Sequence, residues 1–145
     1  MPAPARVEAE SRSHFVAVAV LGSAIRSEGA WDSGFGGELS VGRLCDRCGV
    51  AAWAASVGFV GFSRASRGRV SALAALGTRR VTGVLFGVAG GPVLELDDHR
   101  RPRAGGEATL WVFAGVVPYV RAGAVQKGGL FVDLGLRIPL PAGRW

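Results

Sequence analysis

The chain has 145 residues, a one-domain length, with 23 glycines, 49% hydrophobic residues and only 19% charged ones, against about 7% glycine and about 25% charged residues in ordinary soluble domains. The apolar content excludes a disordered chain, the glycines follow no collagen period, and two cysteines are too few for a disulfide framework. A net charge of +6 comes from arginine with a single lysine, yet the charges fall in short clusters between uncharged runs. With no zinc-finger spacing, RNP-type motif or P-loop, a nucleic-acid partner is not expected.

Residues 1–14 mix Arg6 and Arg12 with Glu8 and Glu10 and read as an extension. Phe15 to Ile25 is apolar on both parities, and 15–26 reads as a first strand. In 31–44, Trp31, Ser33, Phe35, Gly37, Leu39 and Val41 alternate with Asp32, Gly34, Gly36, Glu38, Ser40 and Gly42, the period of two of a strand. Cys45-Asp46-Arg47-Cys48-Gly49 is turn chemistry. Its cysteines lack a nearby His and a following helix, which argues against zinc, haem attachment or a redox centre. They are expected as a disulfide of an oxidising compartment or as plain thiols.

The next strand, 49–63, sets Trp53, Val57 and Phe59 against Ala52, Ala54, Ser56 and Gly58. Within 69–79, Arg69 to Gly77 reads equally as a strand or as a short helix through Val70, Leu73 and Leu76, and 80–96 is a strand candidate whose run Val81 to Leu94 is apolar on both faces. Over 104–117, Ala108, Leu110, Val112, Ala114 and Val116 oppose Glu107, Thr109, Trp111 and Phe113. A strand at 118–126 follows, and then 129–140, where Leu130, Val132, Leu134, Leu136, Ile138 and Leu140 alternate with Phe131, Asp133, Gly135, Arg137 and Pro139.

Eight short strands at regular spacing predict a sandwich or barrel. No uncharged run is long enough for a membrane helix, but several approach the 9–11 residues of a tilted membrane strand. A soluble sandwich would present Lys, Glu and Thr to water on alternate positions. Here those positions hold Gly, Ala and Ser with an occasional charge, as expected when an apolar face meets lipid and small residues fill a narrow interior. The expected fold is all-β, an eight-stranded antiparallel up-and-down transmembrane β-barrel.

The pattern over 15–140 resembles the small eight-stranded outer-membrane barrels, the OmpA/OmpX-type group. Gly129 to Leu140, GLFVDLGLRIPL, is similar to the C-terminal assembly signal of such barrels, although the chain runs on to Trp145 and Pro139 stands near the place of a terminal aromatic. Pro118-Tyr119 with Arg121 and Gly123 looks like a strand opening of the group. The resemblance implies a periplasmic N-terminal extension at 1–14, the barrel at 15–140 and a C-terminal tail at 141–145. It places outward loops near 26–30, 63–69, 97–103 and 126–129, and periplasmic turns near 44–49, 79–81 and 117–119. It implies residence in the cell outer membrane, with outer-membrane lipids and lipopolysaccharide as partners and the barrel-assembly machinery engaging the last strand. No signal peptide is read: cleavage after 15–24 would leave seven strands, so a mature, truncated or mis-started form is expected.

Glu38, Glu107, Arg121, Asp133 and Arg137 fall on the interior parity, where charges must pair; they are expected to form a network that plugs the barrel. Arg64, Arg67, Arg69, Arg100, Arg101 and Arg103 cluster near two outward loops and are candidates for contacts to lipopolysaccharide phosphates, or are solvated loop charges. Trp31, Trp53, Phe59, Trp111 and Tyr119 are candidate girdle residues, with Trp53 and Trp111 deeper. His14 and His99 have no nucleophile or metal partner set around them, so no catalytic residue, metal or cofactor is expected. The expected function is a non-enzymatic envelope protein, structural or lipid- and partner-contacting. The alternatives are a narrow ion or small-solute channel, and a soluble β-sandwich or ligand-binding barrel.

Overall fold

The computed structural model describes residues 12–64, 66–79, 84–97, 100–127 and 129–144, with the side chains of Arg12, Arg100 and Arg144 outside that description. Eight strands follow in chain order: β1 (Arg12–Ser27), β2 (Ala30–Cys45), β3 (Ala52–Phe62), β4 (Arg67–Thr78), β5 (Leu85–Asp97), β6 (Arg100–Phe113), β7 (Val117–Val125) and β8 (Gly129–Arg144). Each pairs antiparallel with the next, and β8 returns to β1, so the sheet closes into an up-and-down barrel. Closure removes both sheet edges, which otherwise expose unpaired backbone groups.

The barrel has two ends. The upper end carries the β1–β2, β3–β4, β5–β6 and β7–β8 turns; the lower end carries the β2–β3, β4–β5 and β6–β7 connections. At the upper end the β1–β2 turn is Glu28-Gly29, both with positive φ, the geometry of a two-residue hairpin whose twist matches its strands.

Strand parity sets the two faces. In β2, Phe35 and Leu39 are 70% and 53% exposed on the outer face, whereas Glu38 between them is 3% exposed. In β8, Leu130 and Leu134 point out while Phe131 and Asp133 are buried. The interior holds a core of Leu21, Ile25, Val60, Phe62, Tyr119 and Phe131 with their neighbours. Glycine makes the narrow interior buildable: a Cβ at Gly36 would run into the Phe59 carbonyl oxygen, and one at Gly135 into the Tyr119 ring.

Residues 69–77, which the sequence leaves between strand and helix, lie in β4, paired on both sides. The periodic Leu73 faces in and Leu76 faces out, an alternation that a helix would not give. β5 starts at Leu85 and not at 80; residues 80–83 lie outside the described ones. The barrel also exceeds 15–140 at both ends. β1 begins at Arg12, and the residues read as a tail at 141–145 continue β8 to Arg144, because the lower part of β1 offers them a ladder from Ala17↔Pro141 to Phe15↔Arg144. Pro139 and Pro141 are tolerated there. Below Arg137, β8 pairs only with β1, so its other side needs no backbone donor, and a bulge at Val16/Ala17 absorbs the irregularity.

Candidate functional site

The charged groups of the interior stand in three tiers. The uppermost is built on Glu95 of β5, which alternates with the outward Leu94 and Leu96. In the ladder Glu95 lies between Arg69 of β4 and Arg103 of β6. Arg69 Nη2 donates to Glu95 Oε2 at 2.7 Å, and Arg103 Nη2 donates to Glu95 Oε1. Arg67 Nη1 lies 3.8 Å from Glu95 Oε1 and its Nη2 donates to Ser27 Oγ at 2.9 Å. The guanidinium of Arg69 lies 3.8 Å from the Phe131 ring centroid, and Arg67 sits over Phe62. Such cation–π contacts help hold a cation away from water.

The middle tier is one guanidinium between two carboxylates. Arg121 Nη1 of β7 lies 3.4 Å from Glu107 Oε1 of β6 and 3.9 Å from Asp133 Oδ2 of β8. All three side chains are buried. Below it, Arg137 of β8 meets Glu38 of β2 at 3.0 Å across β1, and Ser40 Oγ donates to Glu38 Oε1 at 3.0 Å. Arg121 and Arg137 both lie over Tyr119. The interior-parity residues Glu38, Glu107, Arg121, Asp133 and Arg137 are thus found on the inner wall, in two adjacent groups.

Two expectations are corrected. Arg67, Arg69 and Arg103 do not belong to outward loops; they lie in β4 and β6 and point inward, with Arg69 2% exposed. The shared Glu95 explains this, since a countercharge in the next strand makes their burial affordable where a solvated loop would otherwise be preferred. Arg64 and Arg101 are exposed at the upper end, and the Arg100 side chain is outside the described residues. Among the girdle candidates, Trp31, Trp53 and Phe59 face outward, each about half exposed. Tyr119 instead is 3% exposed inside the barrel, on the parity of Arg121, and Trp111 packs against the interior core. Trp53 opens β3 at the lower end and is not deep in the wall.

Sequence reasoning missed Glu95, the hub of the upper tier. Its signal was present: Ala89, Val93 and Glu95 share one parity, between outward Leu94 and Leu96. Glu28, whose carboxylate lies 3.7 Å from Arg103, had no such signal, because it belongs to a turn. Cys45 and Cys48 form a disulfide with a Cα–Cα distance of 5.5 Å in the β2–β3 connection at the lower end, where Asp46 also pairs with Arg79. His14 lies on the outer face of β1, and His99 falls outside the described residues. No group of metal-binding side chains occurs among the described residues.

No protein-family model matches the chain, and no curated protein matches it. Among solved structures, the chain is similar to Ail, the attachment invasion locus protein of Yersinia pestis, in a structure with the heparin analogue sucrose octasulfate. The two are 12% identical, the match covers 93% of this chain and 99% of that one, and the TM-score is 0.46.

Proposed function

We propose that the chain is a small outer-membrane barrel, without a reaction of its own, that serves the cell envelope as a structural or lipid- and partner-contacting protein. One observation carries the reading: the protein is apolar outside and charged inside. Its outer wall exposes Val57 at 58%, Leu110 at 63% and Leu130 at 80%, while Glu95, Arg121 and Asp133 are each 2% exposed within. Contiguous exposed apolar surface on this scale is foreign to soluble monomers and is what hydrocarbon solvates in a membrane barrel.

In this reading the three ionic tiers and the apolar core plug the interior, in keeping with the filled lumen of eight-stranded barrels, so ion conduction is not its task. The short upper turns leave Arg64 and Arg101, with Arg26 also exposed at that end, as the arginines that reach lipid phosphates. β8, with its regular outward leucines, is the segment that the assembly machinery would engage.

Tryptophan quenching by lipids brominated on their acyl chains tests this. A variant keeping only Trp53, with the other tryptophans changed to Phe, is expected to lose most of its fluorescence in such vesicles. A variant keeping only Trp111 should lose little. Equal, weak quenching of both would contradict insertion with the outer wall in lipid.

A further inference from the structure

We infer that the upper mouth of the barrel is a binding site for a phosphate monoester, held by Arg103 and Arg67, and that Glu28 is a built-in carboxylate which this ligand displaces. The site stands on the barrel's own geometry and does not depend on where the protein resides.

The first argument is charge. Three guanidiniums, Arg67, Arg69 and Arg103, converge on one carboxylate, and Glu95 has both oxygens engaged by Arg69 and Arg103. Arg67 Nε, Arg69 Nε and Nη1, and Arg103 Nε and Nη1 are buried and donate to no group of the described chain. Three guanidiniums against one carboxylate leave this level of the barrel with an excess of positive charge, which a second anion would offset.

The chain supplies only a poor one. Glu28 Oε1 lies 3.7 Å from Arg103 Nη1, and the Glu28 side chain is 55% exposed. That separation is beyond a hydrogen bond. Glu28 is also conformationally misplaced: its φ is +52° at the first position of the two-residue turn, where Asn or Asp before Gly is the favoured choice and a long side chain is strained. The residue at this position thus sets a carboxylate at the mouth in spite of the turn's own preference.

The third argument is access. Glu28 stands at the rim, its side chain 55% exposed, against an Arg103 side chain only 9% exposed. Arg67 reaches Ser27 there, and Phe131 backs the Arg69 guanidinium. Rotating the exposed Glu28 side chain away would uncover Arg103 at the mouth. A phosphate monoester carries more charge than a carboxylate and offers three acceptor oxygens that match guanidinium forks. It would take up the donors that Glu28 leaves unmet.

The ligand could be a soluble ester or a lipid headgroup, and the experiment separates them. The full chain, refolded in non-ionic micelles, is titrated calorimetrically with inorganic phosphate and with glycerol phosphate. It is then titrated in phosphatidylcholine nanodiscs with and without phosphatidic acid. Glu28→Asn, which relieves the turn and removes the competing carboxylate, should bind about tenfold tighter than wild type, roughly the effect of one rim charge. Arg103→Gln should abolish binding, and Arg79→Gln, at the lower end, should leave it unchanged. Binding in micelles identifies a soluble ester; binding only with phosphatidic acid identifies a headgroup. Should Arg103→Gln not fold, Glu28→Asn alone decides, because its position is an exposed turn. The inference is overturned if folded wild type and Glu28→Asn bind phosphate equally, or if neither binds in any arm. Were the protein to fold in plain buffer, the same titration there would still read this site, so its failure is separable from that of the membrane reading.

Discussion

Arg121→Met is expected to lower the unfolding free energy by about 3–5 kcal/mol, the cost of leaving buried charge without its partner. Glu107 and Asp133 lie 3.4 and 3.9 Å from the Arg121 guanidinium, and their side chains are almost completely enclosed. Met fills much of the volume of Arg but offers the two carboxylates nothing, so both must be hydrated, protonated or driven apart. Urea unfolding from lipid vesicles measures the loss. Adding Glu107→Gln to Arg121→Met should recover part of it, giving a non-additive double-mutant cycle. The result also separates a plugged interior from a water-filled one. Were the lumen an open pore, the triad would behave as an exposed pair and the substitution would cost only about 0–1 kcal/mol.

The second large effect lies on the opposite face. Val57 is central in β3, 58% exposed, with Leu39 and Ala72 as its cross-strand neighbours. In a bilayer, Val57→Arg is expected to cost about 2–4 kcal/mol, the penalty for a cation on the lipid face near the midplane. In a soluble protein the same change, at so exposed a position, would fall within about 0.5 kcal/mol of zero. The comparison is made by unfolding wild type and variant from the same vesicles. Since Arg121→Met removes an arginine inside and Val57→Arg adds one outside, a loss of stability in both cases fits only an inverted distribution of polarity.

Much of this was legible because a strand's side-chain period is two, so one charged residue among alternating leucines declares its face. Asp133 between Val132 and Leu134, Arg137 between Leu136 and Ile138, and Glu38 between Gly37 and Leu39 were readable in that way. Tyr119 was equally readable by parity with Arg121 but was masked by its place at a strand start, where aromatics commonly anchor at an interface. The upper arginines were hidden for a different reason. Arg67, Arg69 and Arg103 sit beside turns, where charge is usually solvated, and only the pairing of β4 and β6 with β5 brings them to Glu95. That relation is non-local, and no spacing within one strand encodes it. The extension of β8 to Arg144 was likewise set by its partner, since Pro139 and Pro141 argue for a strand's end until β1 is seen to run on beside them.

The most direct test of the central claim, a closed barrel with its apolar wall in lipid, is the heat-dependent mobility of the refolded protein. Wild type is refolded into detergent micelles and, in parallel, in plain buffer, and unboiled and boiled samples are compared on a semi-native detergent gel. The barrel described here should show a shift between the two samples after refolding in detergent and none after refolding in buffer, where the exposed wall drives aggregation. A folded, monodisperse protein in plain buffer would contradict it, and the outer wall would then have to be the surface of a soluble β-protein.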